Sequence, residues 1–436
     1  MRVASSSIAS PMPYIVLSRS DATQEAVQTI KSTLAKDAVS DSLTWMTSAR
    51  TGLAVLFQAN ITSQQAGVIA SLTGVAHVVP DSPVLETQPH PVALIQSSTA
   101  DKLASLEIAA RAPQKPCSIG LQRNAPDELK VISQPKGAKL ADLPGFGYGA
   151  EAGKGVTIYT IDTGANTGNS EWTGMRGTHR FMYAPGAPHL ESDTLNHGSC
   201  VASKAAGPMY GTAKNANLVM VKMSYQLRLS DFYATLVEVR NDIEAKRLRG
   251  KAVINMSVLL RIEDPSKQTD AVDGLRTLLL DLMADDVVVV TGSGNDRYEG
   301  VEDVTQFPAT LGPTTNIIVV GGVDNDGSRA AFSQGTGNQL TVSAPAFVTC
   351  ASGRGPGPQN SRGTSYAAPT VAGVIAVWLS QDMYNARLRV PGRVAANVKA
   401  MLKELAYPRI LTGPPVVWNG VDPRKRSWLG SLCGAK

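Results

Sequence analysis

Five stretches of the chain are apolar almost without interruption: VTIYTI (156–161), NLVMVKM (217–223), AVINM (252–256), DVVVVT (286–291) and NIIVVGG (316–322). A strand with one face in water alternates polar and apolar residues, so continuous runs mark strands covered on both faces. Helical spacing fills the gaps at Ser230–Arg249, with Ser230 and Asp231 placed to cap and start it, and around Ala271–Ala284. This alternation predicts an α/β fold, a doubly wound, mostly parallel sheet flanked by helices. The region runs over residues 124–407 and closes on a helix at Val394–Leu405, and residues 408–436 read as an irregular C-terminal tail.

In such sheets ligands meet the carboxyl ends of the strands. Asp162 directly follows VTIYTI, and His197 opens the helix NHGSCVASKAAG. Ser365 opens a helix in SRGTSYAAPTVAGVIAVWLS (361–380), where Gly363 makes a tight turn, Pro369 reads as a first-turn proline, and Val371, Val374, Ile375 and Trp378 recur at helical spacing. Singly, these are a turn residue, a helix cap and an N-cap. Together they are a carboxylate, an imidazole and a hydroxyl at element ends, the set that nucleophilic acyl transfer requires.

Ahead of the sheet region stands a separate pattern. Tyr14–Ser18 reads as a strand, Thr23–Leu34 as a helix, Leu43–Thr47 and Leu53–Gln58 as strands, Ser63–Leu72 as a helix and Val75–Val79 as a strand. That β-α-β-β-α-β order predicts a small α+β ferredoxin-like domain over 14–87, after an irregular N-terminus at 1–13. Residues 88–123, with Pro89, Pro91, Pro113 and Pro116, read as a linker and processing region holding a short helix around Leu103–Ala110.

Composition narrows the function classes. A net charge of +5 spread over 436 residues does not suggest nucleic-acid binding. No apolar stretch reaches about 18 residues, the length a membrane span needs. The first twenty residues carry Arg2 but no apolar segment of signal-peptide length. Cys117, Cys200, Cys350 and Cys433 show no C-x-x-C spacing, which leaves one or two disulfides open and pairing undetermined. No metal ligand and no cofactor is called, and no ligand set for a structural calcium ion is legible.

The order Asp, His, Ser and its local motifs resemble the subtilisin-like serine proteases, the subtilases, and within them the proteinase K-like branch. YTIDTGAN resembles the family's aspartate block, NHGSCVASKAAG with YGTAKNANLVMVKM its histidine block, VVVVTGSGND supplies Asn295, and GTSYAAPTVAG is similar to its serine block. NAPDEL (124–129) resembles the start of mature proteinase K-like enzymes, and the segment before it is similar to the family's inhibitory propeptide. The resemblance implies a serine endopeptidase made as an autoprocessed zymogen, with Asp162, His197 and Ser365 as triad and Asn295 with the Ser365 N–H as oxyanion donors. It implies substrate contacts at Ser257, Val258, Leu259, Gly292 and Gly294, the glycines leaving room for substrate. Its partners are a protein or peptide substrate and its own propeptide, and its compartment is extracellular or vacuolar.

Departures bear on this. The block that reads H-G-T-H in the family has Ser199 and Cys200 after Gly198, which puts a small buried thiol beside the site and allows thiol sensitivity. Leu259 and Leu260 stand where glycines are usual, and Tyr366 replaces a frequent methionine. Bulk at Leu259 and Leu260 motivates one alternative, a subtilisin-like pseudoprotease acting as a binding module. Asp162-Thr163-Gly164 is the D-T-G of aspartic proteases, but no second copy exists to complete a carboxylate pair, and the G-x-S-x-G elbow of other acyl hydrolases is absent around Ser365. GAEAGKG (149–155) reads as a turn rather than a phosphate loop. Asn60-Ile61-Thr62 is a sequon relevant only to a secreted chain, and Asn255-Met256-Ser257 is another on a buried strand.

Overall fold

The computed structural model describes residues 10–86, 119–224, 227–262, 265–425 and 427–428. Most of the expected linker, with its helix around Leu103–Ala110 and Cys117, lies outside the described residues, as does Cys433.

The N-terminal part comprises β1 (Met12–Ser18), α1 (Gln24–Asp37), β2 (Thr44–Thr47), β3 (Ala54–Ile61), α2 (Ser63–Ala70) and β4 (Val75–Pro80). Thr23 and Thr62 start the two helices as N-caps, the second in a reciprocal capping box with Gln65. The strands form an antiparallel sheet in the order β2-β3-β1-β4. Tyr14 and Val16 pack on the helices with Ile30, Leu34 and Ile69, whereas Ile15, Leu17 and Leu56 face the other way, into a core shared with the larger part. Burial on both faces explains the unbroken apolar run of β1. A further strand, β5 (Val84–Glu86), leaves this sheet.

The larger part begins with β6 (Ile119–Gln122), α3 (Asp127–Ile132) and β7 (Phe146–Gly149), after which residues 150–155 turn, as expected. Then follow β8 (Thr157–Asp162), α4 (Ser170–Thr173), β9 (His179–Tyr183), α5 (Gly198–Ala206), β10 (Asn217–Lys222), α6 (Leu229–Ala245), β11 (Ala252–Met256), β12 (Leu260–Ile262), α7 (Pro265–Ala284) and β13 (Val287–Gly292). The rest is β14 (Ile318–Val323), β15 (Val342–Pro345), β16 (Phe347–Ala351), β17 (Pro358–Arg362), α8 (Thr364–Leu379), α9 (Asn385–Leu388), α10 (Val394–Leu405), β18 (Tyr407–Pro408) and β19 (Pro415–Val416). The main sheet runs β18-β19-β15-β14-β13-β11-β8-β10-β9, parallel except at the β18-β19 edge.

Alternate residues of each central strand enter opposite cores. Ile158, Val253, Val288 and Val290 join α5, α8 and α10 on one face, while Tyr159, Ile254, Val287 and Val289 join α6 and α7 on the other. Each such side chain contributes roughly 1.5–3 kcal/mol on burial. The strand order reverses at β8, which has β10 on one side and β11 on the other, the place where folds of this kind bind ligands at the carboxyl ends of the strands.

Three local expectations need correction. Ser230 does not cap α6: the N-cap is Arg228, Asp231 reaches back to the Arg228 N–H at 3.3 Å, and the Ser230 N–H and hydroxyl both donate to Asp81 of the N-terminal part, at 3.0 and 2.9 Å. Helix α7 starts at Pro265, well ahead of Ala271, because a proline is tolerated in a first turn. Residues after 407, read as a tail, supply β18 and β19, and the Asn419 carbonyl accepts the indole N–H of buried Trp378 at 2.9 Å. No helix among the described residues is long and apolar enough to cross a membrane.

Candidate active site

Asp162 ends β8, fully buried, and its Oδ1 lies 2.8 Å from His197 Nδ1 and accepts the Thr163 N–H at 2.7 Å. His197 is the N-cap of α5 and is itself buried. A carboxylate at that distance fixes the tautomer: Nδ1 carries the proton and Nε2 is left as the basic nitrogen. Asp162 Oδ2 has no hydrogen-bond partner among the described residues, so the carboxylate's bonds, to the imidazole and to Thr163, all fall on Oδ1.

A second carboxylate, missed from the sequence, organises this corner. Buried Asp193 accepts the Thr163 hydroxyl (2.8 Å) and the Asn196 N–H (2.9 Å) on Oδ1 and the Ser199 N–H (2.8 Å) on Oδ2. The Thr163 hydroxyl in turn accepts the Gly198 N–H at 2.9 Å. Two first-turn N–H groups of α5 are thereby satisfied, and Asp193 is a helix cap supplied from the preceding loop. Nothing in the order of residues marks it, because D-T-L-N reads as an ordinary turn.

Ser365 is the second residue of α8 and is buried, after Gly363 as N-cap. In that first turn the Thr364 N–H donates to Asn295 Oδ1 at 2.9 Å and the Tyr366 N–H to Gly363 O at 3.1 Å, and among the described residues the Ser365 N–H takes no partner. Asn295 Oδ1 also accepts the Thr364 hydroxyl at 3.2 Å, which leaves Nδ2 as the donor end of the amide. The Tyr366 ring lies 5.1 Å from the His197 ring, centroid to centroid, so the residue after Ser365 touches the imidazole.

Pro369 is the sixth residue of the helix and not a first-turn proline. It has no N–H for the Ser365 carbonyl four residues back. Ser257 supplies the bond instead: its hydroxyl donates to Ser365 O at 2.7 Å and accepts from Asn255 Nδ2 at 2.8 Å. The side chain of Ser257 is therefore engaged beneath Ser365. Val258, Leu259 and Leu260 are buried in the α6/α7-side core. Leu260 exchanges backbone bonds with Phe307 (2.8 and 3.0 Å), and β12 pairs antiparallel with β5 through Leu260 with Glu86, Arg261 with Leu85 and Ile262 with Val84.

The glycines of the loop before Asn295 are also required by packing. A Cβ on Gly292 would stand 2.8 Å from Thr364 Oγ1, and one on Gly294, at φ +109°, would stand 2.1 Å from Gln334 Oε1. Their bareness lets the loop sit on α8 and Gln334, and the space is filled by protein.

Cys200 is not a free thiol. It is disulfide-bonded to Cys350, and no free cysteine remains among the described residues. Sequence distance hid the pair, because the two cysteines stand 150 positions apart. Among the described residues no group of three or more His, Cys, Asp or Glu side chains is placed to hold a metal ion.

The model of the subtilase family matches residues 153–407, more than half of the chain. The chain belongs to the subtilase family. Subtilisin-like protease 3 of Pseudogymnoascus destructans is 30% identical over 289 residues, 65% of this chain and 66% of its own length. Subtilisin-like protease 2 of Arthroderma benhamiae is 31% identical over 298 residues, 65% of this chain and 63% of its own. The match thus spans just under two thirds of these relatives. In structure, the subtilase resembles a cold adapted subtilisin-like serine proteinase (TM-score 0.53, 24% identity, 68% of this chain and 98% of that one). It also resembles the epidermin leader peptide processing serine protease of Staphylococcus aureus (TM-score 0.61, 16% identity, 98% of this chain and 100% of that one). These likenesses show the fold, an α/β subtilase sheet with a small sheet ahead of it.

Proposed function

We propose that this subtilase is a serine endopeptidase that cleaves protein and peptide substrates through an acyl-enzyme, and that it is made as a zymogen. The observation that carries the reading is the 2.8 Å contact of Asp162 Oδ1 with His197 Nδ1, with the imidazole 5.1 Å from the ring of Tyr366, the residue after Ser365 in the first turn of α8. Ser365 Oγ attacks the scissile carbonyl while His197 Nε2 takes its proton, then returns it to the leaving amine. Asp162 stabilises the imidazolium. The tetrahedral oxyanion is met by the Ser365 N–H and by Asn295 Nδ2, which is held in orientation by its own oxygen on Thr364.

The zymogen half rests on the N-terminal part. Strand β5 adds to β12 as an extended peptide would, and its direction, from the level of Ile262 to that of Leu260, carries the chain toward Ser257 and so toward Ser365. Cleavage between 88 and 123 would leave the small domain as an inhibitor. Intact masses of wild type and Ser365→Ala decide this: two fragments for wild type and one full-length chain for the variant are expected. Wild type that stays whole yet hydrolyses peptides removes the zymogen and keeps the protease.

A further inference from the structure

The two halves of the site arrive on separate stretches of chain, His197 on α5 and Ser365 on α8, and one hairpin grips both. Strand β16 pairs with β17, with Cys350 opposite Gln359, and β17 runs directly into Gly363 and α8. From this hairpin Gln359 Nε2 donates to Asn196 O at 3.1 Å, on the residue before His197, and the Ala351 N–H donates to Ser203 Oγ at 3.0 Å, further along α5. Between these contacts lies the Cys200–Cys350 bond, both half-cystines fully buried. Cys200 follows His197 by three residues and so shares its face of the helix. Tyr366 packs on the bridge, in a cluster with Val201 and Val348, and presents its ring to His197.

We propose that the Cys200–Cys350 bond is a positioning clamp for catalysis: it pins the helix of His197 to the hairpin that delivers Ser365, and the site reaches working geometry only with the bond formed. The inference rests on the protease reading above. Asn196, immediately before the imidazole, has a left-handed backbone, φ 63°, and is gripped by Gln359 of the hairpin and by Asp193, so the hairpin that carries Cys350 also sets the approach to His197. Formation of the bond removes two protons and two electrons from the thiols, which a disulfide oxidant such as oxidised glutathione accepts on becoming two thiols. The enzyme is therefore completed in an oxidising compartment.

The test compares wild type with Cys200→Ala/Cys350→Ala and with Cys200→Val/Cys350→Ala, which restores volume but no bond. Each is assayed well below its own unfolding midpoint. Displacement of a catalytic group by about 1 Å costs about 10²-fold, so kcat is expected to fall about 10- to 10²-fold in both variants, with KM within about twofold and the proteins still folded by circular dichroism. Folded variants with wild-type kcat overturn the clamp, and so does recovery in the Val/Ala variant alone, which would assign the effect to packing. A second measurement needs no variant: peptide mapping of active wild type must find Cys200 joined to Cys350, and active enzyme with both as alkylatable thiols overturns the inference. Wild type that takes no fluorophosphonate at Ser365 instead defeats the protease reading itself.

Discussion

The hydroxyl of Ser257 donates to the carbonyl of Ser365 at 2.7 Å, tying the end of β11 to the first turn of α8. The bond exists because Pro369 cannot supply the N–H that a helix would normally return to that carbonyl. Ser257→Ala leaves a buried acceptor unsatisfied, at a cost of about 1–3 kcal/mol. Denaturant unfolding measures it, and a loss below about 0.5 kcal/mol would show that the contact contributes nothing.

Asn295 and Thr364 form the second test. Asn295→Leu keeps volume but removes the oxyanion donor, so turnover should fall about 10²–10³-fold with KM little changed. Thr364→Val removes a donor to Asn295 Oδ1 and the acceptor of the Gly294 N–H (3.2 Å), leaving Nδ2 present but loosely aimed. A smaller loss, again in kcat, is expected. Equal kcat in wild type and Asn295→Leu would make Asn295 a loop residue only.

How much of this was legible follows from what each feature depends on. The apolar runs dictated the sheet because burial on two faces leaves no alternative composition. Asp162, His197 and Ser365 stood out because each sits at an element end that hydrophobic pattern can locate, whereas Asn295 stood out only through the resemblance of VVVVTGSGND to the family's motif. Asp193 did not, since D-T-L-N reads as an ordinary turn, and neither did Thr364 or the Cys200–Cys350 bond, whose partners are remote in sequence and meet only in the folded chain. Gly292 and Gly294 were legible as special, but their packing against Thr364 and Gln334 was not. The cap of α6 was misread because it comes from Asp81, about 150 residues earlier.

That cap gives a third prediction. Asp81 takes Arg228 Nε at 2.6 Å as well as the two groups of Ser230, at the N-terminus of α6, where its charge also meets the helix dipole. In the processed protein Asp81→Ala should speed release of the N-terminal fragment, shown as faster onset of peptide hydrolysis after dilution. An onset identical to wild type would place the hold elsewhere, on Asn241 with Thr47 and Ala49.

A fourth concerns a buried ion pair. Lys204, fully buried in α5, meets Glu128 at 3.3 Å, and Glu128 also accepts the Thr349 N–H at 2.9 Å. Burial holds the Lys204 pKa below its usual value, with Glu128 opposing that shift. Glu128→Ala strands the ammonium and should cost about 3–5 kcal/mol. A lysine pKa lower in the folded than in the unfolded chain means that the unfolded state binds more protons between the two values, so the variant's stability must rise with pH across that window. Thermal unfolding at several pH values checks it, and a deficit that does not shrink with rising pH contradicts the assignment.

The central claim is that Ser365 is a nucleophile activated by His197 and Asp162. Labelling with a fluorophosphonate, followed by peptide mapping, tests it most directly. Processed wild type should carry one label, on Ser365, with Asp162→Ala and His197→Ala labelled far more slowly and Ser365→Ala not at all. Folded, processed wild type that takes no label on Ser365 would contradict the account.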